Sequence, residues 1–499
     1  MNIVEQYEAH NSYYAIDCID STHFGNGNNG PYFLSFDDAI YKTKFSFTDG
    51  VSINGTKGSY VVRNFNPLFN GKIKIFNNPK KIKEISINIG LSNYNEQTQT
   101  GTVRNLAIDS NILDYFTECE SFYLVHYCYG SNNTDIYKGK ITGEWATKCG
   151  DKLKKLDLHQ VDYPLTTASF NLNLLPSNSV LEYLRTGQLA TNTGNSYLNV
   201  SGDLSYIPTS CKIINLGGDR PNTTNNITGA IPVWVEEFSR LGRNTIGQNL
   251  STLNPYIRHL SLQGSNVLSG SIPPIWTNSL NYLKILGKNT ISGTIPDLSL
   301  CSTIHIEGNN TLSGNIPVLQ ACKELTIRGN NNMSGSIDID TYLPSIDTLI
   351  IGGNNTIAGV IKTTDKKFTV AITGNNTISA IGFLPNCTSF TISGKNTLTG
   401  NIFSLIPSAT TINITGNNTL NGYSSQSFKA NMSYVNIAGR AVLTQSMVDQ
   451  LLTDLAATSW LSNGTKVISI KGSCAAPSSA GLAKIEVLRE KGVVVAVNV

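Results

Sequence analysis

The sequence is poor in charge and has no long apolar run, and both absences argue against whole classes of protein. Only 14% of its 499 residues are charged and the formal net charge is +3, so it carries no basic footprint for nucleic acid. No run of eighteen apolar residues occurs, which argues against a membrane-spanning helix. Residues 1–17 have no basic segment followed by an apolar one, so we expect no secretory signal.

The sequence also lacks the usual signatures of catalysis and metal binding. Its nine cysteines are odd in number and include no CxxC pair, which predicts free, buried thiols made in a reducing cytoplasm rather than a disulfide framework. The six histidines are scattered, and no HExxH, GxSxG or P-loop pattern occurs. Asp338 and Asp340 form a lone DxD pair that a solvated turn explains. We therefore predict no catalytic residue, no metal ligand and no cofactor.

What the sequence does contain is a repeat, which shows in segments such as IHIEGNNTLSGNIP (304–317). A short apolar alternation precedes a glycine, an asparagine follows two residues later, and an apolar residue follows two residues after that. The period is about 22 residues, which is typical of stacked-coil architectures. The marker glycines are Gly264, Gly287, Gly308, Gly329, Gly353, Gly374, Gly394, Gly416 and Gly439.

This spacing predicts a mainly β solenoid in which each coil adds one short strand to a parallel sheet. The glycine allows the turn, and the asparagine occupies the same height in every coil. An amide side chain has donors and an acceptor, so it can satisfy the buried backbone of its own and neighbouring coils. The predicted asparagine ladder consists of Asn266, Asn289, Asn310, Asn331, Asn355, Asn376, Asn396 and Asn418.

The repeat resembles the leucine-rich repeat, specifically the plant-type subclass that ends in LSGxIP. The matching segments are LSGSIP (268–273), ISGTIP (291–296) and LSGNIP (312–317), with ITGAIP (227–232) as an earlier member. One departure is an extra residue between Ile306 and Asn310, from which we infer a small bulge in each turn. The resemblance covers about 213–475 and implies a scaffold for binding rather than a particular activity.

Several cysteines follow the repeat and are predicted to be structural. Cys301, Cys322 and Cys387 each stand three residues before an inward strand residue, where other coils have apolar side chains, so we interpret them as small buried hydrophobes. Cys474 takes the place of the ladder asparagine in the last coil.

The outward positions of the strands indicate where a partner could bind. His305, Glu307 and Arg328 form a charged spot, which we predict as the candidate partner-binding face. The later coils carry small neutral residues there, so either the partner is polar, such as a glycan, or the face is a plain strut. The outward pairs are Ser261/Gln263, Lys284/Leu286, His305/Glu307, Thr326/Arg328, Ile350/Gly352, Ala371/Thr373, Thr391/Ser393 and Asn413/Thr415.

Four segments are predicted. Residues 1–160 form a β-rich, antiparallel, sandwich-like docking domain with alternation in segments 33–50 and 81–90. Residues 161–212 are a connector with one short helix that caps the first coil. The solenoid spans 213–441, and 442–499 is a cap with two helices and two strands. This closing segment resembles the end of repeat proteins encoded by tailed bacteriophages.

Three functions are open at this point. The first is a non-enzymatic virion protein of a tailed bacteriophage, in a tail appendage or fibre. It would be made in the host cytoplasm, anchored to other virion proteins through the N-terminal domain, present in several copies, and could bind a host-surface glycan or protein. The second is a bacterial surface adhesin or receptor-like protein, which predicts a signal peptide and an anchor. The third is a polysaccharide depolymerase, which predicts clustered carboxylates.

Overall fold

A computed structural model describes the chain in two compact units, residues 1–247 with 261–266, and residues 248–260 with 267–499. Before residue 105 it describes the backbone of seven strands. From 105 to 498 it describes the chain except for 116, 127–139, 160–167, 187–197, 218–225, 243, 363, 417, 430 and 438–440. No helix among these residues is long and apolar enough to cross a membrane.

The first unit begins with antiparallel strands, as the sequence predicted for this region. The elements are β1 (Tyr14–Ile19), β2 (Tyr32–Phe36), β3 (Lys44–Ser46), β4 (Ser52–Thr56), β5 (Ser59–Arg63), β6 (Lys72–Phe76), β7 (Glu84–Ile89), β8 (Asn105–Asp109) and a helical turn, α1 (Ile112–Tyr115). The pairs β1–β6, β1–β8, β3–β6, β2–β5, β2–β7 and β4–β5 are antiparallel. Their side chains before residue 110 lie outside the described residues, so the sandwich-like packing stays a prediction.

The same unit continues as a parallel sheet. The strands are β9 (Ser121–His126), β10 (Lys140–Thr142), β11 (Lys155–His159), β12 (Ser169–Asn171), β13 (Tyr183–Arg185), β14 (Asn199–Asp203), β15 (Ile213–Leu216), β16 (Ile227–Thr228) and β17 (Glu237–Leu241); β18 (Gly247–Asn249) and β19 (His259–Gln263) are divided between the units. The pairs β7–β9, β9–β11, β11–β13, β13–β15 and β15–β17 are all parallel. A second parallel sheet runs through β12, β14 and β16.

The predicted start of the solenoid at residue 213 was therefore too late, and the predicted connector 161–212 was wrong. Its described part has no α-helix; it contributes strands β12–β14 and 3-10 turns at Leu172–Leu174 and Leu204–Tyr206. Paired inward residues along this sheet are 34, 28, 30 and 24 residues apart, at Phe122, Leu156, Leu184, Ile214 and Phe238. Because these coils are longer and lack the GNN turn, the 22-residue period does not reveal them.

The second unit contains the regular repeat. The elements are β20 (Val267–Ser271), β21 (Tyr282–Gly293), β22 (Thr303–Gly308), β23 (Thr311–Gly314), β24 (Glu324–Met333), α2 (Ile339–Tyr342), β25 (Thr348–Asn355), β26 (Ala358–Ile361), β27 (Phe368–Ile381), β28 (Cys387–Gly394), β29 (Thr411–Ile414), β30 (Tyr434–Asn436), α3 (Gln445–Ala457), β31 (Val467–Ile470), α4 (Ser479–Glu490) and β32 (Val494–Val497). Ten strands pair in parallel through its described residues, in the order β21, β22, β24, β25, β27, β28, β29, β30, β31 and β32.

Each coil buries the apolar residues that the alternation predicted. Ile304 and Ile306 of β22 are fully buried, and so are Leu325 and Ile327 of β24. The ladder register shifts between Leu286 and Asn289, and equivalent shifts follow in β24, β25 and β27. These irregularities confirm the bulge inferred from the extra residue. The leucine-rich-repeat-like parallel solenoid is thus the fold of this part of the chain.

The asparagine ladder connects consecutive coils through side-chain hydrogen bonds. Asn310 is fully buried; its Oδ1 accepts from the Ile291 N–H of the preceding coil at 3.1 Å, and its Nδ2 donates to the Arg328 carbonyl of the next coil at 3.3 Å. One side chain therefore ties three coils. The same two bonds recur at Asn289, Asn331, Asn355 and Asn376.

The ladder is longer at one end than predicted and weaker at the other. Asn244 has the same Gly+2 spacing and donates to the carbonyls of Gly242 and Gln263 at 3.1 and 2.9 Å. Asn396 and Asn418 still accept from backbone N–H groups, but no described residue accepts from their Nδ2 atoms. Cys474 replaces asparagine as predicted, and its Sγ donates to the Ala441 carbonyl at 3.3 Å.

The marker glycines allow the coils to approach each other. Gly308 has φ +150°, and a Cβ there would lie 2.8 Å from the Gly287 carbonyl oxygen of the preceding coil and 2.9 Å from the Asn289 nitrogen. A side chain would therefore collide with backbone atoms that have no room to move. Glycine is needed at this position for stacking as well as for the turn.

The C-terminal segment contains the predicted order of helix, strand, helix and strand. Helix α3 begins after Thr444, whose side chain caps it by accepting from Met447 N–H, and buries Val448, Leu451, Leu452 and Leu455. Met447, in the first turn of this helix, is only half-buried.

Replacing Asn310 with alanine should lower the free energy of unfolding by roughly 1–3 kcal/mol, because two buried backbone groups lose their partners. Chemical denaturation monitored by circular dichroism measures this change. The matched control is Asn315→Ala, since Asn315 is exposed in the same coil and its loss should cost less than about 0.5 kcal/mol. Equal stability of the two variants would contradict the ladder.

Candidate partner-binding face

The three residues predicted to face outward together do so in the structure. Strands β22 and β24 pair in register, so that His305 lies opposite Thr326 and Glu307 opposite Arg328. His305 Nε2 lies 2.8 Å from Glu307 Oε1, and Arg328 Nε lies 3.5 Å from the same oxygen. These residues therefore form one ionic cluster on the outward side of the sheet.

Glu324 is a fourth member that the sequence analysis missed. Its Oε1 lies 2.9 Å from His305 Nδ1 and also accepts from the Thr326 hydroxyl at 3.4 Å. Each strand presents three outward positions rather than the two that were counted, and Glu324 occupies the first of them in β24. We call His305, Glu307, Glu324 and Arg328 the charged cluster.

His305 lies between two carboxylates. Its Nε2 faces Glu307 and its Nδ1 faces Glu324, and each ring nitrogen lies within hydrogen-bonding distance of a glutamate oxygen. The imidazole therefore connects the two strands that carry the charged cluster.

A stacked aromatic pair also lies on outward positions, although the sequence gave no sign of an aromatic contact. The rings of His259 and Tyr282 are 4.5 Å apart and nearly parallel, with 3° between their planes. Burial lowers the pKa of His259 to about 4. Burial, and then the negative charge of Glu324, raise the pKa of Tyr282. The neutral ring forms therefore predominate at pH 7.

Outward positions in the later coils are small and uncharged, as predicted. Their side chains are half-buried, and they follow the charged cluster along the sheet in strands β25, β27, β28 and β29: Ile350, Gly352, Ala371, Thr373, Thr391, Ser393, Asn413 and Thr415. From β21 to β29, the charged outward side chains of this sheet thus lie on β21, β22 and β24.

The cysteines of the repeat are core residues. Cys301, Cys322 and Cys387 are fully buried, each Sγ donates to a backbone carbonyl two residues later, and burial raises the pKa of each thiol to about 12. This confirms the interpretation of these residues as core positions. All seven cysteines among the described side chains are buried.

Asp338 and Asp340 have structural contacts. Asp338 caps α2 by accepting from the Thr341 N–H at 3.3 Å, and it pairs with Lys362. Asp340 accepts from the Thr364 hydroxyl at 2.9 Å. Both carboxylates therefore fasten one coil to the next.

A cavity of about 480 Å³ lies between α3 and the segment 425–428. Its carboxylate, Asp454, accepts from the Tyr423 hydroxyl at 2.6 Å, from the Gln426 N–H at 2.9 Å and from Gln450 Nε2 at 2.8 Å. These bonds attach the last repeat to the cap, so we assign Asp454 a structural role.

Comparisons with known proteins do not identify the chain. No protein-family model matches the sequence, and no curated protein matches it. Among solved structures, the chain is similar to one described as "Plant peptide hormone receptor RGFR1 in complex with RGF2", with 20% identity, a TM-score of 0.40, and coverage of 78% of this chain and 69% of that one. An identity and a TM-score this low say nothing about function.

The lowered pKa of His259 predicts a pH-dependent loss of stability. In the unfolded state the pKa of the His259 imidazole is 6.5, so the unfolded chain binds a proton that the folded chain binds only near pH 4. The free energy of unfolding should therefore fall as pH falls from about 6.5 to about 4. His259→Phe keeps a stacking ring that cannot be protonated, so it should remove up to about 3 kcal/mol of this loss. Denaturant unfolding of both proteins at pH 7 and pH 4 measures the difference; parallel stability curves would contradict the assignment.

Proposed function

We propose that this chain is a non-enzymatic binding protein that engages a polar partner through the outward face around the charged cluster. The observation that carries the proposal is the concentration of charged and aromatic side chains in a few adjacent coils. Tyr282, Lys284 and the charged cluster lie on successive strands, whereas the outward positions of the next four strands, β25, β27, β28 and β29, carry no charged or aromatic side chain. A passive spacer would need no difference in outward residues between coils that share the same core.

The chemistry of the face favours a partner with both charge and hydrogen-bonding groups. The Arg328 side chain is 56% exposed, so its guanidinium can donate hydrogen bonds to a carboxylate of the partner in addition to its contact with Glu307. Glu307 and Glu324 are about one-third exposed and can accept hydrogen bonds from donors of the partner. Arginine and tyrosine are the side chains that contribute most to protein interfaces, so we favour a polypeptide partner over a glycan.

The same contacts argue against an enzyme. In the charged cluster each carboxylate is engaged by His305, so neither is poised as a general acid or base beside a solvent-filled cleft. Nucleophilic attack needs a thiolate, and burial raises the pKa of six of the described thiols, those of Cys149, Cys211, Cys301, Cys322, Cys387 and Cys474.

We propose in addition that the protein is a structural component of a tailed bacteriophage, in a tail appendage or fibre, and thus resides in the virion. The closing segment 443–499, whose sequence resembles the ends of phage repeat proteins, supports this placement. The buried thiols of Cys301, Cys322 and Cys387, which follow the repeat, suit folding in a reducing host cytoplasm. The alternative is a bacterial surface adhesin or receptor-like protein, which the fold accommodates equally well.

Binding should depend on the outward face. Arg328→Ala and Tyr282→Ala, made in the full chain, should each weaken binding to intact candidate host cells by at least about tenfold, equivalent to 1.4 kcal/mol. Flow cytometry with labelled protein measures the affinity. Thr391→Ala and Asn413→Ala are the matched controls, because they truncate outward residues of neutral coils. Equal loss in all four variants, or loss in none, would contradict the assigned face.

The virion assignment has its own test. Quantitative mass spectrometry of particles purified from a lysate should find this chain at a fixed copy number that is a multiple of three, five or six. Recovery of the chain on host cell envelopes and its absence from particles would instead support the adhesin.

A further inference from the structure

The coil that precedes α3 has an unusual composition between its ladder asparagine and its next strand. In the coil 312–325 this part of the chain reads LSGNIPVLQACKEL, and it buries Ile316 and Leu319. The equivalent segment 420–435 reads LNGYSSQSFKANMSYV, and none of the residues 425–428 is buried. Hydroxyl groups, an amide and a half-buried ring thus stand where the other coil has apolar core residues, and core packing does not explain the exchange.

This segment forms one wall of the cavity of about 480 Å³, and the C-terminal end of α3 forms the other. Pockets that bind small molecules have volumes of about 300–1,000 Å³. The lining consists of four hydroxyl side chains, one amide, one carboxylate, one phenyl ring and one methyl group. Uncharged groups that donate and accept hydrogen bonds therefore dominate the cavity.

The carboxylate of the cavity is fully engaged by the protein. Asp454 Oδ2 accepts from the Tyr423 hydroxyl at 2.6 Å and the Gln426 N–H at 2.9 Å. Its Oδ1 accepts from Gln450 Nε2 at 2.8 Å and from the Ser425 hydroxyl at 3.2 Å. A carboxylate offers about four lone-pair sites, so these donors occupy it. The same bonds fix one wall of the cavity to the other, so a ligand would not have to order them.

The charges at the cavity favour a neutral ligand. No cationic side chain is among the described residues that line it. Lys429 adjoins the segment without lining the cavity, and Lys491 Nζ donates to the carbonyls of Ala456 and Thr458. An anionic ligand would therefore meet Asp454 without a counter-charge, and a cationic ligand would find that carboxylate already engaged.

Three polar side chains of the lining remain to bind a ligand. Gln426, Ser427 and Ser459 have no side-chain hydrogen bond to a described residue. Phe428 adds an apolar surface, because its ring is half-exposed and packs nearly perpendicular to buried Phe403, with the centroids 5.9 Å apart. A sugar matches both features, since its ring C–H groups pack on an aromatic face while its hydroxyls donate and accept hydrogen bonds.

We propose that this cavity binds a short neutral saccharide through Gln426, Ser427, Phe428 and Ser459, with Asp454 as a positioning residue. A peptide fits less well, because no lining residue belongs to a strand with which a peptide backbone could pair. The inference does not depend on the function proposed for the outward face, whose partner is a polypeptide.

The test is calorimetric titration of the full chain with sugars of different charge. The neutral probes are glucose, galactose, mannose and N-acetylglucosamine, and the charged probes are glucosamine and glucuronic acid. At least one neutral sugar should bind at one site per chain with a Kd of about 1 mM or lower. Both charged sugars should bind at least about tenfold more weakly than that sugar. Failure of all four neutral sugars to bind, or tighter binding of a charged one, would overturn the proposal.

Paired variants place the bound sugar. Ala457→Trp introduces an indole at the exposed end of α3 that lines the cavity, so it should abolish binding. Ala483→Trp makes the same change at an exposed position of α4 that does not line the cavity, and it should leave the Kd unchanged.

Two milder variants keep the test informative if the indole disturbs the fold. Phe428→Leu keeps an apolar contact with Phe403 but removes the ring, so it should raise the Kd at least about tenfold. Ser459→Ala removes one exposed hydroxyl and should raise the Kd about threefold to tenfold. Circular dichroism checks that each variant is folded. Sugar binding that is unchanged in folded Phe428→Leu and Ser459→Ala would show that the sugar binds elsewhere, which would overturn the assignment of the cavity.

Discussion

The hydrogen bonds of one buried asparagine to the backbone of two neighbouring coils are the interaction on which the repeat depends. A single coil contributes two inward apolar residues to its strand and cannot bury them alone. Coils must therefore stack closely, and close stacking leaves turn amides and carbonyls without water. The asparagine at each turn supplies the missing partners, as Asn310 does for Ile291 and Arg328. Gly308 makes the spacing possible, because any side chain there would meet the backbone of Gly287.

This arrangement separates what holds the chain together from what can vary. Inward and ladder positions are fixed by packing, whereas outward positions face away from the core and can change without altering it. Register then brings residues distant in sequence within contact distance, as for His305 and Glu324, whose Nδ1 and Oε1 atoms are 2.9 Å apart. Function in this fold is therefore carried by differences between coils, and the charged cluster is the clearest such difference among the described strands of the second unit.

The sequence was informative wherever one residue type has one physical reason to recur. The ladder asparagines from Asn266 onward, the bulges in β21, β24, β25 and β27, the buried cysteines and the helices of the closing segment could be predicted, because each follows from spacing or local pattern. The coils before residue 213 could not, since their lengths vary and Gly–Asn–Asn turns are absent. Glu324 and the stack of His259 on Tyr282 depend on register between coils, which a linear sequence does not display. Arg240 is a further surprise: it is fully buried at an inward position and donates to the Gly217 carbonyl.

The central claim is that ladder asparagines make consecutive coils one cooperative unit, and amide hydrogen exchange tests it most directly. The backbone N–H groups of Leu268, Ile291, Leu312, Met333, Ile357 and Ile378 all donate to ladder side chains. If the account is right, these amides exchange slowly and with a common opening free energy, since freeing one requires separating its coils. Exchange at the rate of the exposed turns, or with unrelated rates from coil to coil, would show that stacking does not depend on the ladder.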